Sequence, residues 1–186
     1  MNKPWAVMID RDGTMGEDPT GGNFRTPRDY RPFPGTREAF RLFRENGILA
    51  LIVTNQSCIA RKLDGGYDFA AEFRDVGAAD WFICPHDKGD GCRCRKPGTG
   101  LVEQARDRYG LDLSQSYMIG DRWSDMAAGG KMGMRLIPVL TGRGQETMQE
   151  DRRKWQEYEP VYVASDLLDA AKWIIQQFNK SNEVSQ

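Results

Sequence analysis

Two aspartates separated by one residue follow the first apolar run of the chain, Trp5 to Ile9. Residues two apart in an extended segment project to the same side, so Asp10 and Asp12 are expected to converge while Arg11 points away. Open α/β sheets bind their ligands at the carboxyl ends of the strands, which makes this pair a candidate for catalysis. The structural alternative is an ordinary turn at Asp12 and Gly13.

Two more polar clusters follow later apolar runs. The first comprises Thr54, Asn55, Gln56 and Ser57, after the run Ile48 to Val53. Its hydroxyl, amide and backbone N–H groups would hold phosphate oxygens without adding charge, although a helix-capping turn also explains them. Asp121 follows the run Tyr117 to Ile119, and Asp125 comes four residues later. Asp125 is either part of the same site or a first-turn residue that offsets a helix dipole.

Carboxylates gathered at one edge of a sheet need positive charge between them. Asp10, Asp12 and Asp121 would repel one another by roughly 1 to 4 kcal/mol per pair at ~4 Å. Mg²⁺ prefers oxygen ligands of this kind, and Lys96 would place a positive charge on a phosphoryl group. The combination predicts phosphoryl transfer to an aspartate: Asp10 attacks phosphorus, Asp12 protonates the leaving alcohol and then activates water, and Asp121 holds the metal.

A second metal set has the spacing Cys-x-His-x5-Cys-x-Cys. Its members are Cys84, His86, Cys92 and Cys94. Three thiolates and one imidazole complete the tetrahedral set that Zn²⁺ takes in structural sites, so no position stays open for water. Unrelated reduced thiols in a polar loop are the alternative. Cys58 is then not a ligand, and a scheme with Cys58 as nucleophile would need His86, which the metal set already uses.

The elements that would position these residues are apolar runs alternating with amphipathic stretches. This pattern is typical of a doubly wound, Rossmann-like α/β domain with a parallel sheet. The predicted strands are Trp5 to Ile9, Ile48 to Val53, Trp81 to Cys84, Tyr117 to Ile119, Leu136 to Leu140 and Val161 to Val163. The predicted helices are Thr36 to Asn46, Leu101 to Tyr109 and a last helix with Ser165 as its N-cap.

The simplest organisation is one domain over residues 1–180, with a frayed tail at residues 181–186. The intervals from Thr14 to Thr54 and from Ser57 to Lys96 are too short for a large cap domain once their strands and helices are counted. The polar stretches at residues 15–34 and 88–100 are therefore expected to be functional loops.

The bulk composition narrows the choice of partner. The 186 residues carry a formal net charge of −1, and 28% of them are charged, with both signs mixed along the chain. Proteins that bind nucleic acid need a basic surface, and this near-neutral composition does not indicate one. A small phosphorylated metabolite is therefore the better partner. The amino terminus lacks the features of a leader, and no apolar run approaches the ~20 residues that cross a bilayer. A cytoplasmic monomer without membrane contact is expected.

In order and spacing, the motifs resemble those of the haloacid dehalogenase superfamily of aspartate-nucleophile phosphatases. The matching segments are residues 10–14, residues 54–57, Lys96, and Gly120-Asp121 with Asp125, within a resemblance from Trp5 to Leu140. It implies that Asp10 is the nucleophile and that Asp10 and Asp121 are both Mg²⁺ ligands. It implies further that Asp12 is the acid-base residue and lends its backbone carbonyl to Mg²⁺. Thr54 and Lys96 would bind the phosphoryl group.

The zinc loop and the segment after residue 54 resemble a narrower group, the heptose bisphosphate 7-phosphatases and the histidinol-phosphatase domains. The candidate phosphate- and substrate-binding residues are then Thr54, Asn55, Gln56, Ser57, Arg61, Arg95, Lys96 and Arg122. Cys58 and the short metal loop depart from the pattern of that group. Arg143 is either a phosphate ligand or a solvated turn residue.

The expected function is therefore Mg²⁺-dependent hydrolysis of a phosphate monoester through a phospho-aspartate, with a structural Zn²⁺. D-glycero-D-manno-heptose 1,7-bisphosphate, cleaved at its 7-phosphate, is the first expected substrate. Histidinol phosphate and a polynucleotide 3'-phosphate are the alternatives. The non-enzymatic alternative is a zinc-loop binding module on an inactive phosphatase scaffold.

Overall fold

The computed structural model describes residues 3–17 and 27–184. Within them, five parallel strands form one sheet in the order β3-β2-β1-β4-β5. The strands are β1 Ala6–Ile9, β2 Leu49–Asn55, β3 Asp80–Cys84, β4 Tyr117–Gly120 and β5 Arg135–Pro138. Because β1 lies between β2 and β4, the chain leaves it on one side and later returns on the other, which creates a topological switch point at its carboxyl end.

Helices cover both faces of the sheet. They are α1 Thr36–Glu45, α2 Ser57–Ala60, α3 Phe69–Val76, α4 Gly100–Tyr109, α5 Trp123–Lys131, α6 Gly144–Met148 and α7 Leu167–Val184. Short 3-10 helices span Pro27–Asp29 and Arg152–Lys154. The described residues between β1 and β2 and between β2 and β3 hold α1, α2, α3 and the first 3-10 helix, with no added sheet.

Successive side chains of β1 point to opposite faces of the sheet and pack into two separate hydrophobic cores. Val7 and Ile9 belong to the cluster that includes residues of α1, α3 and α7, whereas Ala6 and Met8 pack with residues of α4 and α5. All four side chains are fully buried, as expected for a central parallel strand covered on both faces. The predicted doubly wound α/β fold is confirmed.

The predicted sixth strand, Val161 to Val163, is wrong. The segment makes only isolated parallel bridges to β5 and its extension, Leu136 with Pro160 and Val139 with Ala164. Pro160 has no N–H to donate to a ladder, and Val161 and Val163 are exposed, so the segment lies along the edge of the sheet without joining it.

The start of α7 also differs from the expectation. Asp166, not Ser165, caps the helix, because its Oδ1 accepts the backbone N–H of Asp169 at 2.8 Å. At the other end, α7 continues to Val184, so the first four residues of the predicted tail have helical backbone, and residues 185–186 lie outside the described residues. Residues 18–26, which belong to the first predicted functional loop, lie outside them as well.

Candidate active site

Three carboxylates converge at the switch point. Asp10 follows β1, Asp121 follows β4, and Asp125 lies in the first turn of α5. The parallel pairing of Ile9 with Ile119 brings the two strand ends level, and Asp10 N–H donates to Ile119 C=O at 3.0 Å. One oxygen from each of the three aspartates lies within 4.8 Å of the others, and all three residues are buried.

Lys96 lies inside this cluster. Its Nζ is 2.7 Å from Asp10 Oδ1 and 2.6 Å from Asp125 Oδ1, and it donates to the Val53 carbonyl at 2.6 Å. Burial lowers the pKa of this lysine, but the charges of Asp10 and then Asp125 outweigh burial and hold it above its usual value. The predicted compensating cation is therefore paired with the candidate nucleophile.

Burial and mutual repulsion raise the pKa values of two of these carboxyl groups. Burial, with the charge of Asp10 added, raises the pKa of Asp125 to about 6, and burial also raises the pKa of Asp121 well above its usual value. With all three carboxylates ionised, they and the one ammonium would carry a net charge of −2 in a buried space. Hard, buried oxygen donors with that charge suit Mg²⁺.

Two glycines let the backbone reach Asp121. Gly13 has φ +88°, and a Cβ built there would lie 2.1 Å from Asp121 Oδ2; a Cβ on Gly142 would lie 2.3 Å from the same atom. Arg143 N–H donates to this oxygen at 2.8 Å. The turn after Asp12 and the loop after β5 thus close around the carboxylate, so the turn expected at Asp12 and Gly13 lies against the buried carboxylates.

Asp12 is held apart from the three carboxylates. Its Oδ1 accepts a hydrogen bond from Arg11 Nη1 at 2.5 Å, and its Oδ2 accepts one from Gln56 Nε2 at 2.8 Å. Gln56 also lies 3.0 Å from Thr54 Oγ1. Arg11 was expected to point away from the pair; its side chain is fully buried, and it reaches back to Asp12.

A cleft of about 830 Å³ opens over these groups. The candidate residues that line it are Asp10, Asp12, Asn55, Gln56, Ser57, Arg61, Arg95, Lys96 and Arg122. Thr54 is nearly fully buried beneath them. The cleft joins the carboxylates to several cationic side chains, which suits an anionic ligand with more than one charged group.

Several lining residues also fix the loop that carries Lys96. Asn55 Oδ1 accepts the Lys96 N–H at 3.0 Å, and its Nδ2 donates to the Lys96 carbonyl at 3.2 Å. Arg95 Nη1 donates to Ser57 Oγ at 2.8 Å and to the His86 carbonyl at 3.0 Å. The polar cluster at the end of β2 therefore positions the lysine as well as facing the cleft.

The four predicted zinc ligands come together beside the cleft. Cys94 Sγ lies 3.3 Å from Cys84 Sγ, 3.5 Å from Cys92 Sγ and 3.2 Å from His86 Nδ1. One ligand atom from each of the four residues lies within 4.8 Å of the others. Cys58 is not part of this cluster, and its thiol lies 3.7 Å from the side-chain oxygen of Gln56. This compact N/S set fits a tetrahedral Zn²⁺.

Comparisons with known proteins bear on the family and the fold of this chain. A family model described as HAD-hydrolase-like matches residues 93–170. A protein of Pseudomonas aeruginosa named D-glycero-beta-D-manno-heptose-1,7-bisphosphate 7-phosphatase is 33% identical over 154 residues, which are 76% of this chain and 84% of that protein. The chain belongs to the HAD-like hydrolases. A Neisseria meningitidis protein of the same name is 29% identical over 181 residues, 92% of this chain and 95% of its own.

Solved structures place this HAD-like hydrolase beside the same enzymes. A crystal structure of D,D-heptose 1,7-bisphosphate phosphatase from B. bronchiseptica, complexed with magnesium and phosphate, superposes with a TM-score of 0.79 at 28% identity. The match covers 93% of this chain and 99% of that one. The predicted superfamily resemblance is confirmed, and relatives that carry a phosphatase name over most of this chain support a phosphoric monoester hydrolase.

Sequence reasoning left some residues of the HAD-like site without a role. Asp125 pairs with Lys96 and also accepts the Arg122 N–H at 3.0 Å, so it combines both alternatives considered for it. Trp123 and Lys88 line the cleft although the sequence gives no reason to expect them there, and Arg143, one of whose alternatives is a phosphate ligand, lines it as well. Among residues 3–17 and 27–184, no helix is both long and apolar enough to span a bilayer.

Proposed function

We propose that this HAD-like hydrolase removes the 7-phosphate of D-glycero-D-manno-heptose 1,7-bisphosphate with Mg²⁺ as its cofactor. The observation that carries the proposal is the contact between Asp10 and Lys96 beside two more buried carboxylates at the switch point. Proteins of Neisseria meningitidis, Pseudomonas aeruginosa and B. bronchiseptica that are similar to this chain over most of its length carry the heptose bisphosphatase name.

The chemistry follows from the groups in the cleft. Asp10 attacks phosphorus while the bond to the leaving alcohol breaks, and Asp12 gives that alcohol its proton. Water then attacks the phospho-aspartate, Asp12 takes a proton from it, and the Asp10 carboxylate and inorganic phosphate are released. Lys96 neutralises the charge on Asp10 and on the phosphoryl oxygens that approach it.

The residues that would hold Mg²⁺ are Asp10, Asp121 and the backbone carbonyl of Asp12. When bound, the cation would neutralise phosphoryl oxygen charge and orient the group for in-line attack. Asp125 remains with Lys96 and holds it between two carboxylates. Buried carboxylates that burial keeps at a raised pKa gain most from a cation, because the cation offsets the repulsion between them.

Zn²⁺ would act as a structural clip. Four protein ligands leave no open coordination position, so this metal takes no part in the reaction. Cys94 is followed directly by Arg95 and Lys96, and Arg95 is bound to the backbone of His86, so the clip sets the position of the catalytic lysine. The second anionic group of a bisphosphate would meet the cationic rim formed by Arg61, Arg95 and Arg122.

A phosphate-release screen with Mg²⁺ tests the proposal. The heptose bisphosphate is expected to give the highest kcat/KM, ahead of histidinol phosphate and 3'-phosphorylated oligonucleotides. Asp10→Asn should abolish release, since an amide cannot serve as the attacking group. A preference for another substrate would replace the heptose assignment, and wild-type activity in the variant would refute the aspartyl-phosphate mechanism. Residence in the cytoplasm and a monomeric state stay predictions.

A further inference from the structure

Beneath the cleft lies a buried ionic network that the reaction scheme does not use. Arg11 donates from Nε and Nη2 to the two carboxylate oxygens of Glu72 at 2.8 and 2.7 Å. The guanidinium carbon lies 3.7 Å from the ring centroid of Tyr30. Tyr67 OH donates to Glu72 Oε2 at 2.7 Å. Every nitrogen of the Arg11 side chain therefore has a protein partner, since the third one bonds Asp12.

The network is centred on a fully buried arginine and is built from distant parts of the chain. The Arg11 side chain is 0% exposed and that of Glu72 10% exposed, and 61 residues separate them. A buried ion pair costs desolvation energy and is weak evidence for stability, so its presence calls for another explanation. In the cleft the network meets Asp12, whose carboxylate Arg11 holds.

We propose that Arg11, clamped by Glu72 and Tyr30, is a positioning residue that fixes the carboxyl group of Asp12 for proton transfer to the leaving alcohol. The inference rests on the proposed function, because it gives a task to the supports of the acid-base residue. Gln56 holds the other oxygen of Asp12, so the carboxyl group is restrained at both ends. A carboxyl held in this way cannot rotate away from the leaving oxygen.

The planar guanidinium explains why arginine is suited to this place. It spans Glu72 with two parallel bonds and still directs a third N–H at Asp12, which the single ammonium group of lysine cannot reproduce. The flat face also stacks on Tyr30. Arg11→Lys therefore keeps the charge and removes the geometry, which separates positioning from simple charge compensation.

The readout is the dependence on the leaving group. With enzyme in excess, the first-turnover release of alcohol is measured for p-nitrophenyl phosphate and for the sugar phosphate that the wild-type enzyme prefers. Nitrophenolate leaves without a proton, whereas a sugar alkoxide needs one from Asp12. Asp12→Asn serves as the reference for complete loss of the acid.

Arg11→Lys and Glu72→Gln are expected to slow release from the sugar phosphate by about 10- to 100-fold while changing nitrophenol release by less than about 2-fold. Asp75 lies on α3, the helix that carries Glu72, and forms an exposed ion pair with Arg37 of α1. Asp75→Asn breaks this pair and should leave both rates unchanged. If Glu72→Gln does not fold, the double variant Arg11→Met, Glu72→Met replaces the pair with apolar side chains and should show the same selective loss.

Equal losses on both substrates would mean that the network only maintains the structure, and no loss on the sugar phosphate would mean that Asp12 needs no support; either result overturns the inference. Both results leave the proposed function standing. A wild-type enzyme that releases neither alcohol would overturn the proposed function itself, and the role of Arg11 with it.

Discussion

The pH dependence of stability in the metal-free protein tests the electrostatics of the site most directly. Burial and the charge of Asp10 raise the pKa of Asp125 from 3.8 to about 6. Between these values the folded protein binds more protons at Asp125 than the unfolded chain does. The free energy of unfolding must therefore fall as pH rises through this window. The perturbation is Asp125→Asn, which removes the titration and keeps an oxygen able to accept the Arg122 N–H.

The magnitude follows from the two pKa values. Going from pH 5.5 to 7.5, a carboxyl with a folded pKa of about 6 and an unfolded pKa of 3.8 lowers the free energy of unfolding by about 1 kcal/mol. The assay is urea unfolding at both pH values in buffer without Mg²⁺ and without a chelator, which leaves the Cys/His site undisturbed. Wild-type protein should lose about 1 kcal/mol more than Asp125→Asn over the interval.

Magnesium should reverse this trend, because a cation at the carboxylates favours their ionised forms. With millimolar Mg²⁺ the wild-type protein is expected to be more stable at pH 7.5 than at pH 5.5. Asp75→Asn, a change of an exposed aspartate, should retain the wild-type slope without metal. If metal-free wild type and Asp125→Asn show the same slope, Asp125 does not titrate in this range, and the picture of a strained carboxylate cluster is wrong.

The remaining predictions concern the loops around the carboxylates. A protein with Cys92→Ser and Cys94→Ser should lose one equivalent of bound zinc, measured by metal analysis after dialysis, and much of its phosphate release; unchanged zinc content would contradict the proposed ligands. Gly13→Ala should weaken Mg²⁺ binding and activity, because its Cβ would lie 2.1 Å from Asp121 Oδ2. Gly47→Ala has the same left-handed backbone, with nothing within 4 Å of its Cβ, so it should lose only about 1 kcal/mol of stability and keep activity. Equal activity losses in the two glycine variants would point to backbone strain rather than the contact.

The sequence-based predictions were accurate for features that depend on residues close together in the chain and less accurate for features that depend on distant ones. Strands and helices with strong apolar patterns, such as α1 and β1, came out within one or two residues, because local burial dictates them. The segment Val161 to Val163 has the same apolar character but lies exposed along the sheet edge. Composition alone does not separate a strand from an extended edge segment whose hydrogen bonding is interrupted by proline.

The hydrogen-bond partners of the candidate residues were harder to predict than the residues that line the cleft. Gln56 was expected to contact phosphate, and in the structure it bonds Asp12 and lies beside Thr54. The sequence permits two roles for Asp125, and the fold places it against Lys96. Neither pairing has a signature in sequence spacing, because both depend on how separate loops meet above the sheet.

The sequence by itself determined the family, the carboxylates that follow the strands, and the four residues that form the Cys/His cluster. These follow from short-range order, since a strand that ends in an aspartate carries it to the edge of a parallel sheet wherever the strand lies. Only the tertiary structure decided that Lys96 pairs with Asp10, 86 residues away, and that Arg11 is clamped by Glu72. Such contacts arise from the order in which the strands assemble and from the burial that this order imposes, and neither can be read along the chain.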